Sequence, residues 1–385
     1  MTGTATLATD LPVRLRAVRA AMAAQQLDAL VLVSPENVYY LAGLNHYGYF
    51  ATTLLLVPAD GPLQLVARAM ELPTLRAQVP DCVPATYGDD ADPADAAAVA
   101  LRSMLPAGGR VGVEQDTMNL PVRVWRRLES ALPDVEWSDC TPLLFDLRAV
   151  KSPAEIAQVR AAAAMSDRAL QAGIAAAVEG VHERDVAAEI YQALIDSGSD
   201  APACPPFIRA SEDIPLEHVT WRGDRVLRRT DRVFFELGAS AARYHAPTSR
   251  IVYVGEQPAG VDDAAAVVLA GFDALLATLR PGVAAGDVYA AWQRAVADAL
   301  GDDGYHRHHC GYLTGLGFPP TWTGSSTPTG LRRGSDLVVR EGMVFHVMSW
   351  LLGRELPDYG VSDTAVVTAD GCDLLTTTTR TPLTT

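Results

Sequence analysis

No Cys-x-x-Cys pair occurs anywhere in the 385 residues. The five cysteines, Cys82, Cys140, Cys204, Cys310 and Cys372, are odd in number and far apart, which argues against a zinc knuckle and against a disulfide framework. Positive charge is also scarce: 31 Lys and Arg stand against 46 Asp and Glu, a net charge of −15 that repels phosphate backbones and anionic lipid. Nucleic acid and membranes are therefore not expected as partners. No apolar run reaches bilayer length, and the opening MTGTATLATDLPVR carries neither a basic leader nor an apolar core, so a cytoplasmic location is the expectation. A fixed-period repeat is missing too.

What is present is enough apolar material for packed cores in a chain too long for one. The first half alternates helix and strand signals. Arg14–Gln26 has helical periodicity, Leu27–Val33 suits a buried strand, and Thr53–Val57, Leu63–Ala67 and Arg110–Glu114 give further short strands. Asp89–Met104 reads as a loop entering a surface helix. A boundary falls near Arg148–Pro153, dividing residues 1–150 from 151–385. After it, Ser152, Pro153 and Glu155 signal the start of an alanine-rich helix over Ala154–Val178, and a second helix follows at Arg184–Ser197. The Pro-rich, polar segment Gly198–Asp231 reads as irregular, the kind of stretch that often carries site residues. Helices at Asp262–Thr278 and Gly286–Leu300 and strands at Met343–Met348 and Thr364–Thr368 complete the second half. The Thr-rich end, Thr376–Thr385, reads as frayed.

Between the helix pairs lies FFELGASAARYHAPTSRIVYV, residues 234–254, where two apolar runs flank Glu236, Arg243, Tyr244, His245, Ser249 and Arg250. Such a concentration of titratable groups fits either a solvated hairpin loop or a site.

The motif order tips the balance towards a site. RAVKSPAEIAQVR, the hairpin, RPGVAAGDV at 280–288, VREGMVF at 339–345 and VSDTAVVT at 361–368 together resemble the C-terminal domain of the pita-bread family, which includes aminopeptidase P, prolidase and creatinase. Residues 13–147 resemble the creatinase-type N-terminal domain. The resemblance implies two α/β (α+β) domains, the second with a curved antiparallel sheet backed by helices. It also implies a homodimer in which the partner's N-terminal domain closes the active site.

Metallopeptidases of this family hold two metal ions through two Asp, one His and two Glu. The corresponding positions here carry Glu236, Pro247, Thr314, Met348 and Ser362, so the resemblance implies a metal-free member with no cofactor. An Xaa-Pro metallopeptidase is disfavoured on the same ground. Creatinase's catalytic His corresponds to His218, but its guanidinium-binding carboxylates are missing. The ectoine hydrolase branch is more similar: it shares Glu236, Tyr244, His245, Ser249, Arg250, Gly311-Tyr312, Pro319, Pro320, Trp322 and His346. A late Glu of that branch has no counterpart, leaving Asp363 as the nearest acid.

The implied activity is metal-independent hydrolysis of a C–N bond in a small amide, amidine or cyclic amino-acid derivative. His218 and Glu236 would be catalytic, with His218 as general acid/base and Glu236 as nucleophile or water-activating base. Tyr244, His245, Ser249, Arg250, Tyr312, Trp322, His346 and Asp363 would bind the substrate. For several of these a structural role is also open: Arg250 as a clamp of the hairpin, Tyr312 and Trp322 as ordinary core aromatics. Lyase or cyclase chemistry on a biosynthetic intermediate, and a non-catalytic binding protein, are the alternatives. His46, His182 and His306 read as structural, and the tract His306–Cys310 is too compact to converge on one metal ion. Cys310 stands out only for its neighbours.

Overall fold

The structure, a computed structural model, describes residues 10–211, 219–302, 304–324 and 329–385. The chain forms two compact units divided between Ala149 and Val150.

The first unit runs α1 (Leu11–Ala24), β1 (Ala29–Leu32), α2 (Pro35–Ala42), β2 (Leu54–Pro58), β3 (Gln64–Arg68), α3 (Leu72–Gln78), β4 (Val83–Tyr87), α4 (Pro93–Met104), β5 (Arg110–Val113), α5 (Val122–Ala131), β6 (Glu136–Asp139) and α6 (Thr141–Ala149). Its strands form one mixed sheet, β4-β3-β2-β1-β5-β6. Helix α2 carries no clear signal in the sequence. A buried carboxylate places it: Glu114 accepts hydrogen bonds from the Ser34 backbone N–H and hydroxyl, both at 2.8 Å, and from the Asn37 side chain.

The second unit opens with α7 (Pro153–Ala176), whose start carries a full capping box between Ser152 and Glu155. It continues through α8 (Glu183–Asp196), β7 (Phe207–Ser211), β8 (Arg232–Ala241), β9 (Tyr244–Tyr253), α9 (Val261–Thr278), α10 (Ala285–Leu300), β10 (His309–Leu313), β11 (Gly330–Arg332), β12 (Val344–Leu351), β13 (Tyr359–Val367), β14 (Cys372–Leu374) and β15 (Leu383–Thr384). The main sheet is ordered β11-β10-β12-β13-β9-β8-β7 and is antiparallel along this path. Helices α7 and α8 cover one face of β8 and β9, and α9 covers the same face of β12 and β13.

The central hairpin differs from its sequence reading. Its polar middle is not a loop but the body of two ten-residue strands, joined by the two-residue turn Ala242-Arg243 with φ of 48° and 67°. Neither residue favours that conformation; Arg243 is held by stacking over the Phe318 ring at 4.5 Å. The segment taken as wholly irregular contains β7, in which Ile208 and Ala210 fill the helix-side core.

The Thr-rich end is not frayed. Thr376 and Thr378 are buried, β15 pairs with β9, and Asp167 accepts hydrogen bonds from the backbone and hydroxyl groups of Thr377 and Thr378 at 2.7–3.0 Å. Low complexity misled because the repeated hydroxyls are donors for buried carboxylates.

Candidate active site on one face of the sheet

Side chains alternate between the two faces of a strand, so the register fixes which residues meet. Val233, Phe235, Leu237 and Ala239 enter the helix-side core, leaving Phe234, Glu236 and Gly238 on the opposite face, here called the site face. Across it, Phe207, Glu236, Ser249, Ser362 and Met348 form one row over β7, β8, β9, β13 and β12. The next row holds Gly238, Pro247, Thr364, His346 and Tyr312. On the other side of the Glu236 row stand Arg209, Phe234, Ile251, Gly360 and Trp350.

The hydrogen bonds linking these rows have one consistent direction. The indole N–H of Trp322 donates to the Tyr312 hydroxyl at 3.0 Å, and an indole can do nothing but donate. His346 Nδ1 lies 2.9 Å from the Tyr312 hydroxyl, and because Ser362 gives its own proton to Ser249, the Ser362 oxygen accepts from Nε2–H, which leaves Nδ1 to accept from Tyr312. Nε2 faces the Ser362 hydroxyl at 2.6 Å, and Ser362 donates to Ser249 at 2.7 Å. Ser249 is the cross-strand partner of Glu236, so the chain of donors ends beside the carboxylate. Glu236 Oε1 also lies 3.9 Å from His346 Nδ1.

Burial sets the charge states. His346 is fully buried, and desolvation, followed by His309, pushes its pKa down to about 3, so the ring is neutral at ordinary pH. Burial first, and then the nearby Glu236, raise the Tyr312 phenol well above its ordinary value, keeping it a donor. Glu236 itself is 5% exposed. Phe207 and Trp322 meet edge to face at 6.0 Å and, with Ala203 and Cys204, form an apolar wall next to Tyr312.

The structure thus brings together Glu236, Ser249, Tyr312, Trp322 and His346. It sets Tyr244, Arg250 and Asp363 apart. All three point to the helix face, away from Glu236. Tyr244 donates to Glu155 of α7. Arg250 bonds the carbonyls of Ser362 at 2.8 Å and Thr379 at 2.7 Å and pairs with Asp363 at 3.0 Å. Asp363 also takes Arg380 and the Thr376 hydroxyl, each at 2.6 Å. His245 is on the site face but beyond the Glu236 row. Its Nε2 accepts the Ala203 N–H at 3.0 Å, and burial lowers its pKa to about 4. His218 lies outside the described residues. Cys310 is buried, with its thiol turned to the Leu331 carbonyl.

Ser362 and Phe207 had no place among the expected site residues. Once Glu236 is chosen, period-two spacing and cross-strand pairing find both.

The metal positions implied by the family resemblance can be tested on this face. Glu236, Pro247, Met348 and Ser362 all stand on it, and Thr314 continues the Tyr312 side of β10. Their chemistry does not suit two cations: Pro247 offers no side-chain donor, Met348 a thioether, Thr314 a hydroxyl already donating to the Trp322 carbonyl at 3.2 Å, and Ser362 a hydroxyl committed to the chain above. Among the described residues no group of three or more His, Cys, Asp or Glu could hold a metal ion.

This sheet, its helix pairs and the preceding mixed domain define the class. Residues 157–369 match Metallopeptidase family M24 and residues 14–150 the Creatinase/Prolidase N-terminal domain; the chain belongs to this family, with a creatinase-type domain followed by a pita-bread domain. Its relatives are hydrolases and peptidases. It is 31% identical to an uncharacterized hydrolase/peptidase, y4tM, of Sinorhizobium fredii, over 95% of each chain. It is 30% identical to the ectoine hydrolase of Halomonas elongata over 94% of each. Among solved structures, dipeptidase PepE from Mycobacterium ulcerans superposes with a TM-score of 0.81 at 26% identity, covering 99% of this chain and 98% of the other. Prolidase from Thermococcus sibiricus shares the fold, with a TM-score of 0.85 at 20% identity over 98% and 99%. Among the described residues no helix is long and apolar enough to cross a membrane.

Proposed function

We propose that the protein hydrolyses a C–N bond of a small amide, amidine or cyclic amino-acid derivative without a metal ion, in the manner its likeness to an ectoine hydrolase suggests. The observation that carries this is a buried carboxylate, Glu236, beside a directed donor chain, on a face whose other metal positions hold Pro, Thr, Met and Ser. Glu236 attacks the carbon of the scissile bond or takes a proton from the attacking water. Neutral His346, its proton held on Nε2, stabilises through Ser362 and Ser249 the charge that moves on and off Glu236. His218 remains the proposed acid for the leaving nitrogen. A homodimer completes the proposal, and a stable, fully active monomer in light scattering would count against that part.

Turnover in oxygen-18 water separates hydrolysis from lyase or cyclase chemistry, because only hydrolysis puts the label in the product. Glu236→Gln is expected to abolish turnover while leaving the fold intact. Elemental analysis should find no stoichiometric manganese, zinc, cobalt or iron, and chelators should leave the rate unchanged. One or two ions per chain with activity lost on chelation would return the metallopeptidase to first place.

A further inference from the structure

Arg209 stands one row from Glu236, on the edge strand β7 and directly opposite Phe234. Ile208 and Ala210 turn into the helix-side core, so Arg209 projects from the site face. It is 6% exposed, and its Nε is a buried donor without a partner. Among the described residues its guanidinium makes neither a hydrogen bond nor an ion pair. The carboxylate nearest in influence, Glu183, is already occupied by the backbone N–H of Ala210 at 2.8 Å, that of Arg222 at 2.6 Å and the Arg222 guanidinium at 3.3 Å.

A guanidinium is charged at every working pH, and a buried N–H on it without an acceptor carries an unrecovered desolvation cost that a ligand oxygen would offset. Its surroundings are short of acceptors. Trp350, whose ring meets Phe234 at 5.3 Å, has a buried indole N–H with no partner, and the Ser211 hydroxyl, two residues along β7 on the same face, is likewise unsatisfied. The acid on this side of the sheet, Asp358, is already engaged by Arg232, which stands across from Ser211, at 3.3 Å, and Arg307 stacks over the Trp350 ring at 4.9 Å, so the surroundings of Phe234 are rich in donors.

We propose that Arg209 anchors a carboxylate of the ligand, gripping it bidentately. This rests on the site face being the active site and narrows its substrate class: the amide or amidine is that of an amino-acid derivative keeping a free carboxylate. Successive same-face positions are roughly 7 Å apart along a strand. A carboxylate on Arg209 therefore leaves a carbon a few bonds away above Glu236.

The test reads binding and not turnover, so its failure and a failure of the hydrolase proposal are distinct. Thermal unfolding of the parent, Arg209→Met and Arg209→Gln is followed in carboxylate-free buffer and then with increasing acetate at constant ionic strength. Without acetate both variants unfold at the parent's temperature or a few degrees above it, since an unsatisfied buried donor has been removed. Acetate raises the parent's midpoint with saturation and leaves both variants unmoved. Destabilisation of both variants overturns the proposal, because it makes Arg209 half of an internal ion pair. An acetate response equal in all three proteins, or absent from the parent, overturns it as well.

Discussion

His346 shows how much of this site depends on one proton. A neutral imidazole carries a single N–H, and because the Ser362 proton goes to Ser249, that N–H sits on Nε2, with Tyr312 donating to Nδ1. Nitrogen-15 spectra of histidine-labelled protein should show His346 as the neutral Nε2–H tautomer throughout pH 5–8, with no titration near the ordinary histidine pKa. Tyr312→Phe removes the donor to Nδ1, and the spectrum should then show tautomer exchange; an unchanged signal would refute the directed chain. Ser362→Ala interrupts the link to Ser249 and Glu236 and should lower kcat by ~100-fold, the lower range for proton-transfer groups, with little change in KM. The chemical types of these residues were legible in the sequence, but the faces they occupy were not. Register across β8 and β9 depends on where the hairpin turns, and Ala242-Arg243 carries none of the Gly or Asn that advertises such a turn. Without that position, Tyr244 and Arg250 could not be told from His245 and Ser249.

At the level of elements, β9 and β13 are stitched together on the helix face by the end of the chain. Asp363 is fully buried and neutralised by Arg250 and Arg380, with the Thr376 hydroxyl as a further donor. Removing one member leaves buried charge uncompensated, so Asp363→Ala should cost about 3–5 kcal/mol in urea unfolding. A loss below about 1 kcal/mol would show the cluster to be a minor support. Any loss of activity in this variant should track loss of folded protein, unlike Ser362→Ala, although the two residues are neighbours in sequence. The strand signals for β8, β12 and β13 were readable because apolar residues recur there, whereas β7 was hidden by the Pro-rich segment before it and by the charge of Arg209. Pro247 within β9 also ran against a strand assignment. Its neighbour across the ladder is Gly238, where a Cβ would come within 3.2 Å of the Pro247 Cα.

For the whole molecule, the buried histidines make stability depend on pH. Burial lowers the pKa of His346 to about 3 and of His245 to about 4, while both return to ordinary values on unfolding. Between those folded values and about 6.5 the unfolded chain therefore binds more protons. Stability should be fully present above about pH 6.5 and fall as pH drops towards 4, each histidine contributing up to about 1.4 kcal/mol per pH unit. Urea midpoints at pH 7 and pH 5 check this, and His245→Gln, which keeps a polar side chain without the titration, should flatten the slope. A slope unchanged in that variant would assign the acid sensitivity to other groups.

Because Pro247, Met348 and Ser362 stand on the same face as Glu236, the backbone frame that would aim metal ligands is present without the ligands. That makes a metal site something substitution alone can install. Asp at 247, His at 314, and Glu at 348 and 362 would supply oxygen and nitrogen donors without any strand having to slide. The route through Asp363 is closed, since delivering that carboxylate would take a one-residue slip of β13, which turns its whole apolar set to the wrong side. The fourfold substituted protein should bind manganese or zinc by calorimetry where the parent does not. Metal binding would then come down to four side chains on an unchanged backbone.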